Sequence, residues 1–385
     1  MAKEAGPRAA YARAGVDVVA GERTVALMRA AVESTYGPAV IGGLGSFGGA
    51  VAIPAGYRQP VLVSSTDGVG TKSAIAAAMG RFDTIGRDLV AMCADDVVCS
   101  GAAPLLFLDY VAVGRLDPAS VAELVGSVAD GCREAGCALV GGETAEHPGL
   151  LDPDAFDLAG SCTGIVERDR LIDGGRARAG DVVVGLPSSG LHANGFSLIR
   201  TMIAEHDLDL AEPYQQRLLL TLGERATSAA LRVAPGETLS TLGEVLLTPT
   251  QIYAAAILDL RIALDAAGHD LHAVAHITGG GLPGNAARML PESLGIRLDP
   301  GRWPMPSVMR LFGALGGLED DELRATFNGG LGMLVAVEPA ATATAIASLA
   351  RSGIAGLVVG QVVDASELDG RRYVEEHFAS HSSGR

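Results

Sequence analysis

The sequence has little lysine, and its cysteines lack the spacing of a disulfide framework or a zinc site. Only Lys3 and Lys72 occur among 385 residues, and every other cation is an arginine. The five cysteines form no CxxC pair, so we expect free thiols in a reducing compartment and a cytoplasmic protein. No apolar run reaches the roughly 18 residues of a membrane-spanning helix, and the N-terminus has no signal-peptide core.

Basic charge is also scarce, while glycine is abundant. The chain has 29 Lys and Arg against 45 Asp and Glu, a net charge of −16. Nucleic-acid and anionic membrane surfaces are bound through clustered basic residues, so neither partner is expected. The 51 glycines make up roughly 13% of the chain, against about 7% in average proteins, and show no collagen-like period. We expect them in turns and where the backbone approaches a ligand closely.

Strand-like and helix-like segments alternate in both halves, which predicts an α/β or α+β fold. A polar, glycine-bearing stretch over 168–180 separates the halves. We therefore expect an N-terminal domain over 1–170, a C-terminal domain over 171–370 and a flexible tail over 371–385. Within the first domain the pattern predicts strands over 61–66 and 138–140, and helices over 89–102 and 118–135.

The motif Ser65–Lys72, STDGVGTK, follows a predicted strand. Asp67 opens its glycine turn, and Lys72, the lone lysine of the globular body, closes it. Glycines free backbone N–H groups to approach an anion. Asp67 could hold Mg²⁺, which bridges to phosphate oxygens, and Lys72 could neutralise the same oxygens. The alternative is an ordinary tight turn with a solvated acid and base.

Two further acidic motifs could complete such a site. Asp95 and Asp96 are adjacent in an apolar helical segment and point about 100° apart, so only one readily faces a given site. The string GGETAE after the 138–140 strand presents Glu143, which could ligate a metal or act as an acid or base. The alternatives are a helix whose acids reach solvent and a polar loop. The three motifs together favour one Mg²⁺–phosphate site.

The second half carries two weaker motifs. Ser188–Gly195, SSGLHANG, places hydroxyls, His192 and Asn194 in one turn. Asn194 could instead cap the next helix, and His192 could be a loop histidine whose hydrogen bonds are satisfied. Thr278–Gly281, TGGG, precedes a predicted helix and could either cradle an anion or serve as a flexible connection.

Taken in order, ten strings resemble the phosphoribosylformylglycinamidine cyclo-ligases, also called aminoimidazole ribonucleotide synthetases. They are AGVD at 14–17, IGGLGSFGG at 41–49, STDGVGTK at 65–72, DTIGRDLVAMCADD at 83–96, FLDY at 107–110, GCALVGGETAEHPG at 136–149, SSGLHANGFSLIR at 188–200, HITGGGLPGN at 276–285, WPMPS at 303–307 and FNGGLGM at 327–333. Each string is modest alone, but ten in order are highly specific.

The resemblance implies a reaction and an assembly. ATP would phosphorylate the formyl oxygen of formylglycinamidine ribonucleotide to give an iminophosphate. A neighbouring nitrogen would then close the imidazole ring, with ADP and phosphate as products, in the fifth step of de novo purine biosynthesis. Mg²⁺ is the implied metal, and K⁺ is a further candidate ion. The implied assembly is a homodimer whose N-terminal mixed sheets, in the ATP-binding domains, pair across the interface. The C-terminal domain, a mixed sheet with flanking helices, would complete each substrate site.

The resemblance also distributes the roles of individual residues. The implied metal ligands are Asp67, Asp96 and Glu143, and the implied catalytic residues are Lys72, His192 and Asn194. The implied ATP-binding set, which includes a loop covering the nucleotide, is Gly42, Gly43, Gly45, Gly48, Asp67, Gly68, Thr71 and Lys72. The implied substrate-binding set is Ser189, His192, Gly279, Gly280 and Gly281. Departures from the family pattern are Ser46, Asp95, Ala193, Gln251 and Gly284.

Two other functions stay open. One is a different ATP-dependent enzyme of the same superfamily, such as selenophosphate synthetase or thiamine-phosphate kinase. A selenophosphate enzyme should carry a cysteine near its glycine-rich N-terminus, and residues 1–92 contain none. The other is a nucleotide-binding regulatory module without turnover. Loss of the acids would favour that module, whereas Asp67, Asp96 and Glu143 are all present.

Overall fold

A computed structural model describes residues 17–378. The N-terminal half begins with helix α1 (Val18–Glu33) and a short hairpin of β1 (Val40–Ile41) and β2 (Ala50–Val51). The following strands are β3 (Pro60–Gly68), β4 (Ala103–Val113), β5 (Ala138–Glu146) and β6 (Phe156–Glu167). The helices among them are α2 (Lys72–Met79), α3 (Ile85–Cys99) and α4 (Pro118–Ala135). Both predicted strands are confirmed but longer than expected, so Asp67 and Glu143 lie within strands.

The four strands form one sheet in the order β3–β6–β4–β5. The β3–β6 and β6–β4 pairs are antiparallel, and the β4–β5 pair is parallel. Helix α3 packs against the sheet through a nearly continuous buried run that includes Leu89, Met92 and Val97. The opposite face of the sheet stays uncovered within one chain, and Leu62, Leu108 and Tyr110 are 59%, 41% and 42% exposed there.

Helix α4 follows the local rules that predicted it. Asp117 accepts a hydrogen bond from the backbone N–H of Ser120 at 2.9 Å, and Pro118 occupies the first turn. Gly136 ends the helix with a φ of +78°, a conformation that favours glycine. The predicted helix over 118–135 is thereby confirmed. The helix predicted over 89–102 exists but begins at Ile85 and ends at Cys99, which brings Asp88 into its first turn.

The C-terminal half contains strands β7 (Val182–Pro187), β8 (Ala273–His276), β9 (Leu294–Leu298), β10 (Leu331–Val337), β11 (Leu357–Asp364) and β12 (Tyr373–Glu375). Its helices are α5 (Phe196–Glu205), α6 (Tyr214–Val233), α7 (Leu242–Leu246), α8 (Ala254–Ala266), α9 (Gly281–Asn285), α10 (Ser307–Gly316), α11 (Asp320–Thr326) and α12 (Thr342–Arg351). The fully buried pattern of β10 marks it as a central strand.

These strands form a six-stranded mixed sheet in the order β12–β9–β11–β7–β10–β8. All neighbours are antiparallel except β12 and β9. The flexible tail predicted over 371–385 is wrong for its first residues, since β12 pairs with β9 as part of this sheet. Residues 379–385 lie outside the described residues. A search of residues 17–378 finds no helix with the length and apolar character needed to span a membrane.

Candidate active site

Two carboxylates from the N-terminal domain meet a histidine of the C-terminal domain. Asp67 lies near the end of β3, and Asp96 lies on α3. The Oδ1 of Asp96 accepts a hydrogen bond from Nδ1 of His276 at 2.9 Å, and its Oδ2 accepts one from Ser65 Oγ at 3.2 Å. His276 is the last residue of β8, so this cluster joins the two sheets across the domain boundary. We call Ser65, Asp67, Asp96 and His276 the interdomain site.

The electrostatics of the interdomain site suit a cation. Burial raises the pKa of Asp67, and the negative charge of Asp96 raises it further, against a hydrogen bond from the N–H of Gly68. Burial is the largest single influence on Asp96 and raises its pKa, but the hydrogen bond and charge of His276, the hydrogen bond from Ser65 and the charge of Arg288 together outweigh it, and the pKa is lowered. Two neighbouring carboxylates of this kind are hard oxygen donors, which is what Mg²⁺ prefers. Their repulsion is the observation that fits a divalent ion here.

The adjacent acid, Asp95, points away from this site. Its side chain is fully buried, and its Oδ1 accepts the backbone N–H of Tyr253 at 2.9 Å at the start of α8. Burial raises the pKa of Asp95 to about 7. The helical geometry predicted that only one of the two acids could face a given site, and this prediction is confirmed. The alternative in which both acids reach solvent is wrong.

A cavity of about 400 Å³ lies between the domains beside the interdomain site. Ser65, Asp96 and His276 line it, together with Arg288, which supplies a cation. Arg288 donates to Asn285 Oδ1 at 2.8 Å. The Asn285 amide in turn donates to the carbonyl oxygens of Gly279 and Gly281, at 3.0 and 2.9 Å. The cavity therefore borders a glycine turn that side chains hold in place.

The TGGG turn is closely packed and hydrogen-bonded to Asn285, which favours a structured turn over a flexible connection. Gly280 and Gly281 have φ values of +87° and +57°, and a Cβ on Gly281 would overlap the carbonyl oxygen of Arg324. Asn194 faces the turn, with its Oδ1 3.6 Å from the position of a Cβ on Gly279. Asn194 does not cap α5, because Gly195 occupies the cap position. The structure thus brings the HANG segment and the glycine turn together, and their substrate-binding roles stay predictions.

Lys72 departs from its predicted role. Its side chain has no exposed surface, and its Nζ donates to Asp88 Oδ1 at 2.8 Å, to the His192 carbonyl at 3.0 Å and to the Thr248 carbonyl at 2.8 Å. Burial lowers the pKa of Lys72, although the Asp88 carboxylate opposes this shift. An ammonium has three N–H donors, and all three are used. The expectation that Lys72 neutralises phosphate oxygens is therefore corrected.

His192 is an interior residue of its loop. The side chain is 1% exposed, the residue has a φ of +62°, and Nε2 accepts the backbone N–H of Ser189 at 3.2 Å. Burial holds the pKa of His192 well below its usual value, so the ring is neutral. Ser189 itself is exposed, and its Oγ donates to the carbonyl of Pro249 at 2.7 Å. The geometry favours the loop-shaping interpretation of His192 over contact with substrate.

The glycine-rich loop is not part of the interdomain site. Strands β1 and β2 hold residues 42–49 against β5, where a Cβ on Gly49 would overlap Val140. Loop, α1 and sheet enclose a second cavity of about 720 Å³, which Gly45, Gly48, Asp109 and Glu143 help to line. We call it the glycine-loop cavity. Gly43 has open space around it, and Gly42 has a φ of +89°. This geometry is compatible with a mobile cover, and the ATP-binding role of these glycines stays a prediction.

The three predicted metal ligands do not meet within one chain. The sheet register aligns Asp67 with Gly160, Asp109 and Gly142, so Glu143 lies three strands away from Asp67. With strands spaced at about 4.8 Å, that separation is about 14 Å. No cluster of three or more acidic, histidine or cysteine side chains within 17–378 could hold a metal ion. A single chain therefore offers Asp67 and Asp96 to one ion, without Glu143.

Comparisons with known proteins follow the same two-domain division. The family described as AIR synthase related protein, N-terminal domain, matches residues 50–166, and its C-terminal counterpart matches residues 178–371. The phosphoribosylformylglycinamidine cyclo-ligase of Geobacillus kaustophilus is 46% identical over 355 residues, which cover 92% of this chain and 95% of that protein. The enzyme of that name from Gloeobacter violaceus is 48% identical over 357 residues, covering 92% and 98%. The chain belongs to the phosphoribosylformylglycinamidine cyclo-ligase family.

Solved structures share the fold of this cyclo-ligase family member. Hydrogenase maturation protein HypE, solved in complex with ATP, aligns with a TM-score of 0.61 at 19% identity, over 97% of this chain and 92% of that one. Thiamine-monophosphate kinase from Stenotrophomonas maltophilia aligns with a TM-score of 0.56 at 15% identity, over 93% and 97%. At these identities the likeness concerns the fold alone.

Sequence reasoning missed three residues of this cyclo-ligase family member. His276 stands at a strand end two residues before the start of the TGGG motif, and that position could have drawn attention to it. Asp88 is a charged residue that interrupts the buried face of its helix, and the lone lysine of the body was available as its partner. Thr250, whose N–H and hydroxyl both donate to Asp88, lies in a loop with no distinguishing pattern. Its contact with Asp88 is recognisable only in the folded arrangement of the two domains.

Proposed function

We propose that this chain converts formylglycinamidine ribonucleotide to aminoimidazole ribonucleotide, with hydrolysis of ATP to ADP and phosphate. Identity of 44–48% to curated cyclo-ligases over more than nine-tenths of the chain supports the substrate and product. The single observation that carries the chemistry is the pairing of Asp67 with Asp96 at the domain boundary, beside a cavity large enough for part of a nucleotide.

The reaction needs an activated formyl oxygen and a nearby nucleophile. ATP would transfer its γ-phosphoryl group to that oxygen, and the neighbouring nitrogen would then form the new C–N bond. The C–O bond breaks, phosphate leaves, and the attacking nitrogen gives up a proton. Within the chain, Asp67 and Asp96 would hold Mg²⁺, which when bound neutralises the phosphate oxygens of ATP. Ser65 and His276 fix the orientation of Asp96 for that task.

The substrate side of the reaction needs positioning groups. The cavity between the domains presents Arg288, a cation suited to the phosphate of a ribonucleotide. Asn194 and the TGGG turn lie together in the C-terminal domain, and Asn285 holds that turn rigid. A fixed substrate supplies much of the rate of an intramolecular ring closure, because the nitrogen and carbon then meet in the reactive geometry.

We further propose that the active form is a homodimer. The uncovered sheet face with Leu62, Leu108 and Tyr110 is apolar enough to pack against a second copy. Within residues 17–378, the outer strands of the sheet, β3 and β5, each pair with a neighbouring strand on one side only. If β5 of a second copy lies beside β3, then Glu143 of that copy approaches Asp67 and the three carboxylates of the predicted metal site assemble. The five free cysteines fit a reducing cytoplasm as the location.

The test is ring closure by the purified protein. Formylglycinamidine ribonucleotide, ATP, Mg²⁺ and K⁺ are incubated with the enzyme, and aminoimidazole ribonucleotide is measured by mass spectrometry alongside ADP. We expect one ADP per product molecule, and omission of each ion in turn shows whether it is required. ADP without aminoimidazole ribonucleotide, or no turnover at all, would contradict the proposed function.

A further inference from the structure

Lys72 is the most completely enclosed cation of the described chain, and its surroundings come from both domains. Its own helix α2 and the Asp88 helix α3 belong to the N-terminal half. The two carbonyl oxygens that it contacts, those of His192 and Thr248, belong to two loops of the C-terminal half. The Nζ also lies 5.4 Å from the centre of the Phe196 ring. A single ammonium therefore links four segments across the domain boundary.

Asp88 extends this link on the other side. Its Oδ1 accepts the Nζ of Lys72, the backbone N–H of Thr250 at 2.8 Å and the hydroxyl of Thr250 at 2.5 Å. The residues on either side of Thr250 are tied to the SSGLHANG loop, since Ser189 Oγ donates to the Pro249 carbonyl and accepts the N–H of Gln251 at 3.1 Å. The two loops are thus joined to each other and both are joined to the Lys72–Asp88 pair.

Both ends of this link lie next to groups of the proposed reaction. Lys72 begins α2 immediately after the turn that starts at Asp67, and Thr71 in that turn lies 3.1 Å from Ser197, between their hydroxyl oxygens. On the other side, the His192 carbonyl precedes Asn194 by two residues, and Asn194 faces the TGGG turn. A shift of the ammonium would move the Asp67 turn and the Asn194 loop relative to one another.

We propose that Lys72 is a positioning residue, whose buried ammonium sets the Asp67 turn and the two C-terminal loops in register across the active site. The part of this inference that concerns catalytic activity rests on the proposed function. The ammonium suits this task because it is a compact donor of three hydrogen bonds, and an arginine fork does not match three acceptors gathered around one atom. The pairing also gives a reason for a lysine at position 72 in a chain that otherwise has only Lys3 and 27 arginines as Lys and Arg cations.

The test uses the variants Lys72→Met, Asp88→Asn and the double variant in full-length protein. Lys72→Met leaves the buried Asp88 carboxylate without a countercharge, so we expect the thermal midpoint of the variant to fall by roughly 5–10 °C. The double variant removes both charges while the introduced asparagine keeps an acceptor for Thr250, and it should recover at least about half of that loss. A phosphate-binding lysine would give no such recovery. Arg81→Met, which breaks an exposed pair with Asp83, is the matched control and should leave the midpoint unchanged.

Kinetics of the double variant separate positioning from mere stability. We expect kcat to fall by about tenfold or more, because the two carbonyls lose their common donor, while the dissociation constant for ATP measured by calorimetry stays within about twofold. Lys72→Arg keeps the positive charge but should still show a lower kcat than the wild-type enzyme. Wild-type kcat in the double variant would reduce Lys72 to a structural role and overturn the proposal, as would weakened ATP binding with an unchanged midpoint. Absence of product from the wild-type enzyme would instead contradict the proposed function, and the midpoint measurements would still test the pairing.

Discussion

The interdomain site and the glycine-loop cavity are built in opposite ways. In the interdomain site every hydrogen bond on Asp96 comes from a fixed neighbour, Ser65 or His276. In the glycine-loop cavity Glu143 is exposed, and Phe47 at the tip of the loop is fully exposed. Charged groups that must meet a phosphoryl group gain most from being fixed in advance. A segment that admits and covers a nucleotide must instead be able to move.

If Glu143 completes the metal site across a dimer, as proposed, one chain contains a finished half of that site, with Asp67 and Asp96, and an unfinished half, with Glu143. The charges of Asp67 and Asp96 already interact within one chain, whereas Glu143 lies three strands away from Asp67. The finished half should respond to substitution within one chain. The unfinished half should respond to the presence and identity of a second copy.

The largest effect is expected from Asp96→Asn in the finished half. Asparagine keeps an oxygen that accepts from His276, so the fold should persist, but one negative charge at the proposed metal position is lost. We expect turnover to fall by about 10²–10³-fold, as for other losses of charge stabilisation at a reacting centre, and Asp67→Asn to behave alike. The measurement is kcat for product formation, together with the thermal midpoint.

Asp83→Asn is the matched control for the two aspartate variants. Asp83 is a half-exposed acid paired with Arg81, and its replacement should leave turnover unchanged. Wild-type turnover of Asp96→Asn or Asp67→Asn at limiting Mg²⁺ would remove that residue from the metal position and erase the contrast between the two regions.

A smaller effect is expected from mixed dimers, but it distinguishes directly between action within one chain and action across the dimer. Asp67→Asn and Glu143→Gln chains carrying different tags are expressed together, and the mixed dimer is purified. If Glu143 serves the site of the neighbouring chain, one site of the mixed dimer is intact and about half of the wild-type turnover returns. A mixed dimer of Asp67→Asn and Asp96→Asn chains is the control, because these residues share one chain and both sites stay damaged. No recovery in the first mixed dimer would show that Glu143 does not act across a dimer.

The sequence located the finished half better than the unfinished one, for a physical reason. Asp67 and Asp96 could be assigned locally, since a strand end and a helix period determine where they point. The distance between Asp67 and Glu143 depends on the strand order β3–β6–β4–β5, and no local pattern contains that order. The placement of Glu143 in one chain was therefore the weakest part of the predicted site.

Lys72 shows the second limit of local reasoning. Its motif predicted a phosphate ligand because glycine and lysine stand beside an acid after a strand. The partners that occupy its ammonium, Asp88 and the carbonyls of His192 and Thr248, come from 16 to 176 residues away along the chain. The docking of the two domains decides that contact, and the motif alone is equally compatible with an exposed lysine.

The smallest expected effect is a pH-dependent gain of stability from Asp109→Asn in the glycine-loop cavity. Asp109 is 9% exposed, and burial raises its pKa to about 7. In the unfolded chain the pKa of an aspartate is about 3.9. Stability from the protonated carboxyl is therefore fully present below about pH 4 and is lost as the pH rises towards 7. Asparagine resembles the protonated form at every pH.

We therefore expect Asp109→Asn to match the wild-type free energy of unfolding near pH 4 and to exceed it by about 2–4 kcal/mol at pH 8. Denaturant titrations at both pH values, without nucleotide, measure the difference. Asp117→Asn is the control of opposite sign, because hydrogen bonds from Ser120 lower the pKa of Asp117, so that its replacement should lower the free energy of unfolding at pH 8. An equal gain at both pH values would mean that the buried charge of Asp109 costs nothing. The glycine-loop cavity would then be as well adapted to its carboxylate as the interdomain site is to Asp96.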